Sequence, residues 1–354
     1  MGKPTLHQFI IGASPGDAIT DQALLLQRWL REEGFHSELF AEGANAALSD
    51  QVHSYLGYRP SQSGEVVILH HSIGSAVVDY LLSLDVRFLL IYHNITPPQF
   101  FNMDPALAVQ LSRGMEQLTL LRERTLLGLA DSAYNEHELQ RAGFSSTAIL
   151  PIVLDESRYQ MESDPALLAC YQGGGPHLLF VGRLVPNKRQ EELIKLLYHY
   201  RRIEPAAGLI LVGASWLPAY TEWLQDLAHE LGLGESVIFT DHVSQRDMVT
   251  YYRLADVYVS MSEHEGFGKP LIESMYLGLP VLAYAAAAVP DTLGGAGVMF
   301  HEKNYEALAE VVDILVRDSH LRQRIMARQR ERARAFLEPA VRQIWQNLQG
   351  AWRK

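Results

Sequence analysis

The sequence predicts an α/β protein made of two doubly wound parallel sheets. Three observations carry this. At 354 residues the chain is too long for one ordinary core, so two domains are expected. Short apolar runs alternate with amphipathic helical patterns along its whole length. Several of those runs end in a Gly turn or in polar residues, at the strand end where open α/β sheets bind ligands.

Leu6 to Ile11 reads as the first strand. A Gly/Pro turn through Gly12-Ala13-Ser14-Pro15-Gly16-Asp17 leads into an amphipathic helix from Thr20 to Gly34. Thr20 is the expected N-cap and Gly34 the expected stop. This turn lacks G-x-G-x-x-G, so the dinucleotide fingerprint is absent here. Strands follow at Ser37 to Phe40, Glu65 to His71 and Phe88 to Tyr92. The last two deliver His70-His71-Ser72 and His93-Asn94 to one sheet edge. His70 and His71 are adjacent on a strand and point to opposite faces, so they do not chelate one ion together.

Leu107 to Leu129 is expected to be one long helix. A short strand runs from Leu129 to Asn135, then a helix stops at Gly143, and Ala148 to Val153 closes the first domain. Asp155 to Gln172 gives no clear pattern. Gly173-Gly174-Gly175-Pro176 is the expected linker and hinge.

The second domain opens on Leu178 to Val181, a buried-strand run, then Gly182-Arg183 through Lys188, then a helix from Glu191 to Tyr200. Further strands read at Gly208 to Val212, Val237 to Thr240, Ala255 to Ser260 and Val281 to Tyr284. Helices alternate with them at Ala219 to Leu231, Gln245 to Leu254 and Leu271 to Leu277. The chain ends in helices from Glu306 to Val316, Leu321 to Leu337 and Pro339 to Trp352.

The stretch Glu265-Gly266-Phe267-Gly268-Lys269-Pro270-Leu271-Ile272-Glu273 carries the densest chemistry. It joins a strand to a short helix. Pro270 suits a first helical turn, and Gly278 suits the left-handed position past the helix end. Amides near Gly268 to Leu271 and the positive end of the helix dipole favour an anion. Seven residues separate Glu265 from Glu273, and the two carboxylates frame the loop. The bland alternative is a tight turn with a solvated Glu273. Arg183 and Lys188 sit at another strand end. Arg offers a planar fork to a diphosphate and Lys a point charge. The bland alternative is two ordinary loop cations.

Together, Val181-Gly182-Arg183 with Lys188, the Glu265 to Glu273 stretch and Gly278-Leu279-Pro280-Val281 resemble the retaining glycosyltransferases of family four, also called glycosyl transferases group 1. The resemblance covers the C-terminal half. It implies the GT-B fold, with two Rossmann-like domains facing each other across a deep cleft. The expected domains are 1–170 on the acceptor side and 171–338 on the nucleotide-sugar side, with a helix at 339–354 packing back on the first domain. It implies transfer of a mannose- or glucose-type hexose, from a donor such as GDP-mannose or UDP-glucose, to an acceptor hydroxyl in polysaccharide or glycoconjugate assembly.

In that reading Arg183 and Lys188 neutralise the leaving diphosphate, Glu273 takes the ribose hydroxyls, and Glu265 takes sugar hydroxyls beside the amides of Gly266 and Phe267. Gly268, Lys269, Pro270 and Leu271 form the helix-end site. Val243 contacts the base, Gly16 lets backbone approach the diphosphate, and His93 faces the donor sugar. Asp17, His71, Ser72 and Asn94 are placed on the acceptor side. Asp17 has an equal alternative, capping the first helix.

No Asp-x-Asp metal signature has a suitable context, so no metal or other cofactor is expected. The partners implied are a nucleoside-diphosphate sugar and a glycan, lipid-linked or protein acceptor. Residues 1–170 hold 10 Lys and Arg against 20 Asp and Glu, which argues against nucleic acid and a strong electrostatic membrane dock. Arg317, Arg322, Arg324, Arg328, Arg330, Arg332 and Arg334 read as a solvated helix face, with weak membrane contact as the minority reading. The single cysteine, Cys170, excludes a disulfide framework. No signal peptide and no run of membrane-spanning length is read, so a cytoplasmic location is expected, extending to the inner face of the membrane. A sugar-nucleotide epimerase, a phosphorylase and a non-catalytic sugar-nucleotide sensor are the competing functions.

Overall fold

The structure is a computed structural model that describes residues 3–171 and 173–352. The chain divides into two units. One comprises residues up to Val153 together with those from Val341 on, and the other spans Leu154–Ala340.

The first unit holds a seven-stranded parallel sheet. Its strands are β1 Gln8–Phe9, β2 Leu39–Ala41, β3 Val52–Ser54, β4 Glu65–His71, β5 Val86–Tyr92, β6 Thr125–Ala130 and β7 Thr147–Ile149. Their order is β3-β2-β1-β4-β5-β6-β7, so the winding reverses between β1 and β4. A two-stranded pairing of Gly12–Ala13 with Gly43–Ala44 extends the first turn. The helices of this unit are α1 Ala18–Glu32, α2 Ala76–Ser83, α3 Pro105–Leu121 and α4 Ala133–Arg141.

The second unit repeats the plan. After α5 Pro165–Cys170 come β8 His177–Val181, α6 Gln190–Tyr200, β9 Gly208–Val212, α7 Pro218–Glu230, β10 Val237–Asp241, α8 Gln245–Leu254 and β11 Val257–Ser260. Then follow α9 Lys269–Leu277, β12 Val281–Tyr284, α10 Val289–Leu293 and β13 Val298–Phe300. The six strands are parallel in the order β10-β9-β8-β11-β12-β13, so this sheet reverses between β8 and β11. Helices α11 Tyr305–Arg317 and α12 Ser319–Ala333 close the unit, and α13 Glu338–Leu348 leaves it. Both faces of each sheet are covered, which is why the strands read as continuous apolar runs rather than as alternating ones. Leu178, Phe180, Leu209, Leu211, Val257 and Val259 are all buried in one cluster with α6, α7 and α11.

Several boundaries differ from the sequence expectation. The long helix expected to reach Leu129 ends at Leu121. Arg122–Arg124 make a tight turn, where the Arg124 guanidinium donates to the carbonyls of Leu82 and Leu84 at 3.0 and 2.8 Å. The Leu-rich run after it pairs with β5 instead. Such a run fits either periodicity, and a sheet neighbour decides it. The cap of α1 is Asp17, not Thr20: Asp17 Oδ2 accepts from the Thr20 backbone N–H and hydroxyl, both at 3.0 Å. Helix α2, helix α10 and strand β13 lie where no element was read.

The units part at Val153 and Leu154 rather than at residue 170. The segment after Val153 is tied into the second unit. The Leu154 amide donates to the Phe336 carbonyl at 2.8 Å, and Arg253 donates to the Tyr159 carbonyl at 3.0 Å. Gly173-Gly174-Gly175-Pro176 is therefore internal to that unit and not a hinge between domains. A Cβ on Gly175 would lie 2.4 Å from the Ala206 backbone, so this glycine marks close packing. Gln172, at the edge of that tract, and Arg353 and Lys354, at the end of the expected last helix, lie outside the described residues.

The C-terminal helix does join the first unit. Val341 and Trp345 are fully buried there with Trp29, Leu26 and Leu30 of α1. A buried tryptophan of this kind contributes roughly 3–5 kcal/mol on the truncation scale. The arginine-rich stretch is mostly a solvated face, as its composition suggests. Arg322 and Arg332 are half-buried, and Arg332 donates to the carbonyls of Asp291 and Thr292 at 2.6 and 3.0 Å. Among the described residues no helix is long and apolar enough to cross a membrane.

Candidate nucleotide-sugar site

The C-terminal ends of β8 and β11 flank the point where the second sheet reverses, the topological place for a ligand. From β8 the chain turns through Gly182. The Gly182 amide donates to the Val212 carbonyl at 2.9 Å and the Leu184 amide to the Ala214 carbonyl at 3.1 Å, so the sheet spacing persists past the strand ends. Gly213 holds a φ of 150°, and a Cβ there would lie 2.1 Å from the Gly182 carbonyl oxygen. Only glycine permits that approach. Arg183 emerges from this crossing, exposed, with its guanidinium 4.2 Å from the Trp216 ring centroid. Its carbonyl accepts from Gln190 Nε2 at 3.0 Å.

Lys188 ends the tight turn Pro186–Lys188. Its Nζ lies 2.5 Å from Glu265 Oε2, with the two side chains 19% and 13% exposed. The sequence reading assigned these groups to different parts of a donor; the structure joins them directly. Asn187 between β8 and α6 makes the joint rigid. Its Nδ2 donates to the His264 carbonyl at 3.0 Å, and its own carbonyl accepts from the Glu263 amide at 2.9 Å. Beside them Arg189, at a left-handed φ of 54°, donates to Glu263 at 2.6 Å, and Lys303 donates to the same carboxylate at 2.8 Å. These cations hold the Glu263 carboxyl below its usual range against the opposing effect of burial. Burial pushes the His264 imidazole down to about 4, so it is neutral.

The Glu265–Gly268 loop is pinned as well. The Glu265 carbonyl accepts from the Ala288 amide at 3.1 Å, and the Phe267 carbonyl accepts from the Thr292 hydroxyl at 2.5 Å. Gly268 (φ 82°) caps α9 without a side-chain bond, and Gly278 (φ 77°) ends it in the left-handed position expected. At the helix start Pro270 has no N–H, and the Leu271 amide donates to the Gly268 carbonyl at 2.9 Å. The amides named for anion binding are thus fewer than the motif suggests. Val243 lies half-buried beyond β10 at the same sheet edge.

Glu273 is one turn into α9 and only 4% exposed. Both of its oxygens are taken by tyrosine hydroxyls: Tyr159 donates to Oε1 at 2.5 Å and Tyr252 to Oε2 at 2.6 Å. The Tyr252 hydroxyl is held well above its usual pKa, chiefly by burial and then by the Glu273 charge. The solvated Glu273 of the bland alternative does not occur. Tyr159, Tyr252, Asn187 and Trp216 were not singled out from sequence. The tyrosines lie 114 and 21 residues from Glu273 and share no local motif with it.

In the first unit, the named residues cluster at the C-terminal edge of β1, β4 and β5. Gly16 has a φ of 83°. Asp17 serves as the helix cap, the alternative kept open for it. His70 and His71 do point apart. His70 Nδ1 meets His93 Nε2 at 2.9 Å, whereas His71 Nε2 donates to the Gly114 carbonyl at 2.9 Å. His71 is fully buried, and burial lowers its pKa to about 4, so it is packed inside rather than turned toward an acceptor. Asn94, at a left-handed φ of 74°, donates to Asn135 and Glu138 at 2.9 and 2.8 Å. Ser72 follows β4, half-buried. The His93 side chain is 2% exposed, and its Nδ1 is 2.9 Å from Asp131 Oδ2. Both ring nitrogens are engaged inside the unit, so neither is offered to a sugar hydroxyl as the sequence reading had it.

Residues 172–332 match the family described as Glycosyl transferases group 1. Curated relatives of this chain include the GDP-mannose-dependent alpha-(1-6)-phosphatidylinositol monomannoside mannosyltransferase of Mycobacterium tuberculosis. It is 28% identical over 59% of this chain and 53% of its own length. The D-inositol 3-phosphate glycosyltransferase of Xylanimonas cellulosilytica is 33% identical over 46% of this chain and 39% of its own. This chain therefore spans about half the length of the curated relatives it matches, or less. Its fold is GT-B. The structure of Anabaena HepE in complex with UDP and glucose overlays with a TM-score of 0.73, covering 98% of this chain and all of that one at 18% identity.

Proposed function

We propose that this protein is a retaining glycosyltransferase that moves a mannose- or glucose-type hexose from a nucleoside-diphosphate sugar to an acceptor hydroxyl. The observation that carries the reading is the Lys188–Glu265 contact at the reversal of the second sheet, with the buried Glu273 one turn into the helix that follows the Glu265 loop. In this reading the cation, a sugar-binding Glu265 and a ribose-binding Glu273 act as parts of one site.

Arg183 and Lys188 neutralise the departing diphosphate, each charge-assisted bond contributing about 1.5–3 kcal/mol. Two protein cations do the work that Mg²⁺ does elsewhere, so turnover is expected to survive chelators. The C1–O bond to phosphate breaks and the acceptor oxygen bonds C1 on the same face. The leaving phosphate oxygen takes the acceptor's proton, so no protein base is required. Glu265 orients the sugar hydroxyls, and Glu273 uses its remaining lone pairs for the ribose. The acceptor is a glycan, lipid-linked or protein hydroxyl in polysaccharide or glycoconjugate assembly on the cytoplasmic side. The name of the Mycobacterium tuberculosis relative favours GDP-mannose and the HepE structure with UDP and glucose favours UDP-glucose, so both donors belong in the test.

A thermal-shift panel of GDP, UDP, GDP-mannose and UDP-glucose is the first experiment, because a ligand that binds the folded state stabilises it by mass action. One base should raise the transition temperature and the other should not. Absence of a shift with every nucleotide would overturn the reading. Product analysis then distinguishes transfer from epimerisation, which converts the donor with no acceptor present.

A further inference from the structure

A chain of hydrogen bonds crosses the first unit from α1 to the loop after β6. Gln8 Nε2 donates to the Ala23 carbonyl at 2.9 Å. Gln8 Oε1 is 3.1 Å from His70 Nε2. His70 Nδ1 is 2.9 Å from His93 Nε2, with the two rings parallel to within 5°. His93 Nδ1 is 2.9 Å from Asp131 Oδ2. His70, His93 and Asp131 are all buried, so water does not replace any link.

The partners fix the direction of this chain. A carbonyl only accepts, so the Gln8 amide nitrogen faces Ala23 and its oxygen faces His70. That oxygen needs a proton from His70 Nε2. The gap between the two imidazoles needs one proton, and so does the gap between His93 and Asp131. Three gaps require three protons. Two neutral histidines and an ionised aspartate carry only two.

We propose that Gln8 is a positioning residue that makes the Asp131–His93–His70 set hold a third proton, leaving the set net neutral and His93 with no ring nitrogen able to act as a base. Burial and the neighbouring His93 both disfavour charge on His70, which places the third proton on the His93–Asp131 side. His71 is a further ionisable neighbour of His93, and burial keeps it neutral. The proton is a property of the set rather than of one ring. That the arrangement serves sugar transfer rests on the function proposed above; the proton count does not.

The test is nuclear magnetic resonance on the full chain, with ¹⁵N-labelled histidine and ¹³C-labelled aspartate, at pH 7.5. The expected result is a protonated His70 Nε2, one proton in the gap between the rings, and either a doubly protonated His93 or a protonated Asp131 carboxyl. An ionised Asp131 facing a bare His93 Nδ1, or two bare nitrogens facing each other across the ring gap, would overturn it. The variant Gln8→Leu supplies the second arm. Without an acceptor at His70 Nε2, His70 can donate through Nδ1 to His93, which donates to an ionised Asp131, and two protons suffice. The expected signature in folded Gln8→Leu is a His93 with a bare Nε2. An unchanged His93 in that folded variant would overturn the role of Gln8, and failure of the variant to fold leaves the wild-type count as the decisive measurement. A wild-type protein that shows the third proton yet transfers sugar from no donor would reject the transferase reading alone.

Discussion

Lys188 and Glu265 meet at 2.5 Å although they lie 77 positions apart in sequence, one arriving after β8 and the other after β11. Neither side chain is fully buried, so the pair is not a sealed structural bridge. At 19% and 13% exposure it is partly buried and still open to a ligand on one side chain or both. The pairing is better understood as mutual orientation of two binding groups, each retaining capacity for a ligand.

This separates two roles for Lys188. If it only neutralises Glu265, then Lys188→Ala and Glu265→Gln together should restore what Lys188→Ala loses. If it contacts the diphosphate, the loss persists in the double variant. The expected result is a drop in kcat/KM of well over tenfold for Lys188→Ala, for Arg183→Ala and for the Lys188→Ala/Glu265→Gln pair, measured by initial-rate transfer assays. Near-normal turnover in both single variants would reject the cation assignment.

Glu273 makes a second case. A buried carboxylate bonded by two phenols is held in one rotamer before any ribose arrives. Tyr252→Phe removes one donor and leaves a charged oxygen poorly satisfied, at a cost of about 1.5–3 kcal/mol. Urea unfolding should show that loss, and isothermal titration should show weaker binding of the nucleoside diphosphate. Tyr252→Phe with unchanged nucleotide affinity would mean that the clamp supports the fold only.

Much of the second unit was legible because its signals are local. Gly278 and Pro270 bracket α9 within one motif, and the strand Gly208–Val212 is an uninterrupted apolar run. The unit boundary was not legible. Gly173-Gly174-Gly175 looks like a hinge in composition, yet the close approach of Gly175 to Ala206 is a contact between distant segments that composition does not encode. The tyrosine clamp and the Gln8–His70–His93–Asp131 chain were hidden for the same reason. Their members come from different strands and helices, and each alone reads as ordinary core or surface. His93 was found through resemblance, but its engagement by Asp131 depends on a parallel pairing between β5 and β6 that one strand cannot reveal.

The Gly213–Gly182 crossing predicts a steric phenotype at a distance from any ligand. In Gly213→Ala the new methyl must displace the Gly182 carbonyl, since backbone cannot rotate away as a flexible side chain would. The φ of 150° adds conformational strain of order 1–3 kcal/mol. The variant should unfold at lower urea, and its surviving folded fraction should bind nucleotide more weakly because Arg183 follows Gly182 directly. Gly234→Ala, where the nearest atom is 3.8 Å away, is the control and should do neither.

Acid should act on both units through buried neutral histidines. His71 and His264 each have a folded pKa near 4 against 6.5 for a free imidazole, with burial the largest cause. A depressed histidine pKa means that below pH 6.5 the unfolded chain binds a proton the native chain refuses. Stability is therefore whole above about pH 6.5 and declines as pH falls from there toward 4, by up to about 1.4 kcal/mol per pH unit for each group. Urea midpoints measured between pH 7 and 4.5 should fall accordingly. In His264→Asn the fall should be shallower by one group, while midpoints above pH 7 reflect only the cost of the substitution itself. Parallel curves for the wild type and His264→Asn across that range would show that the His264 ring is not held neutral.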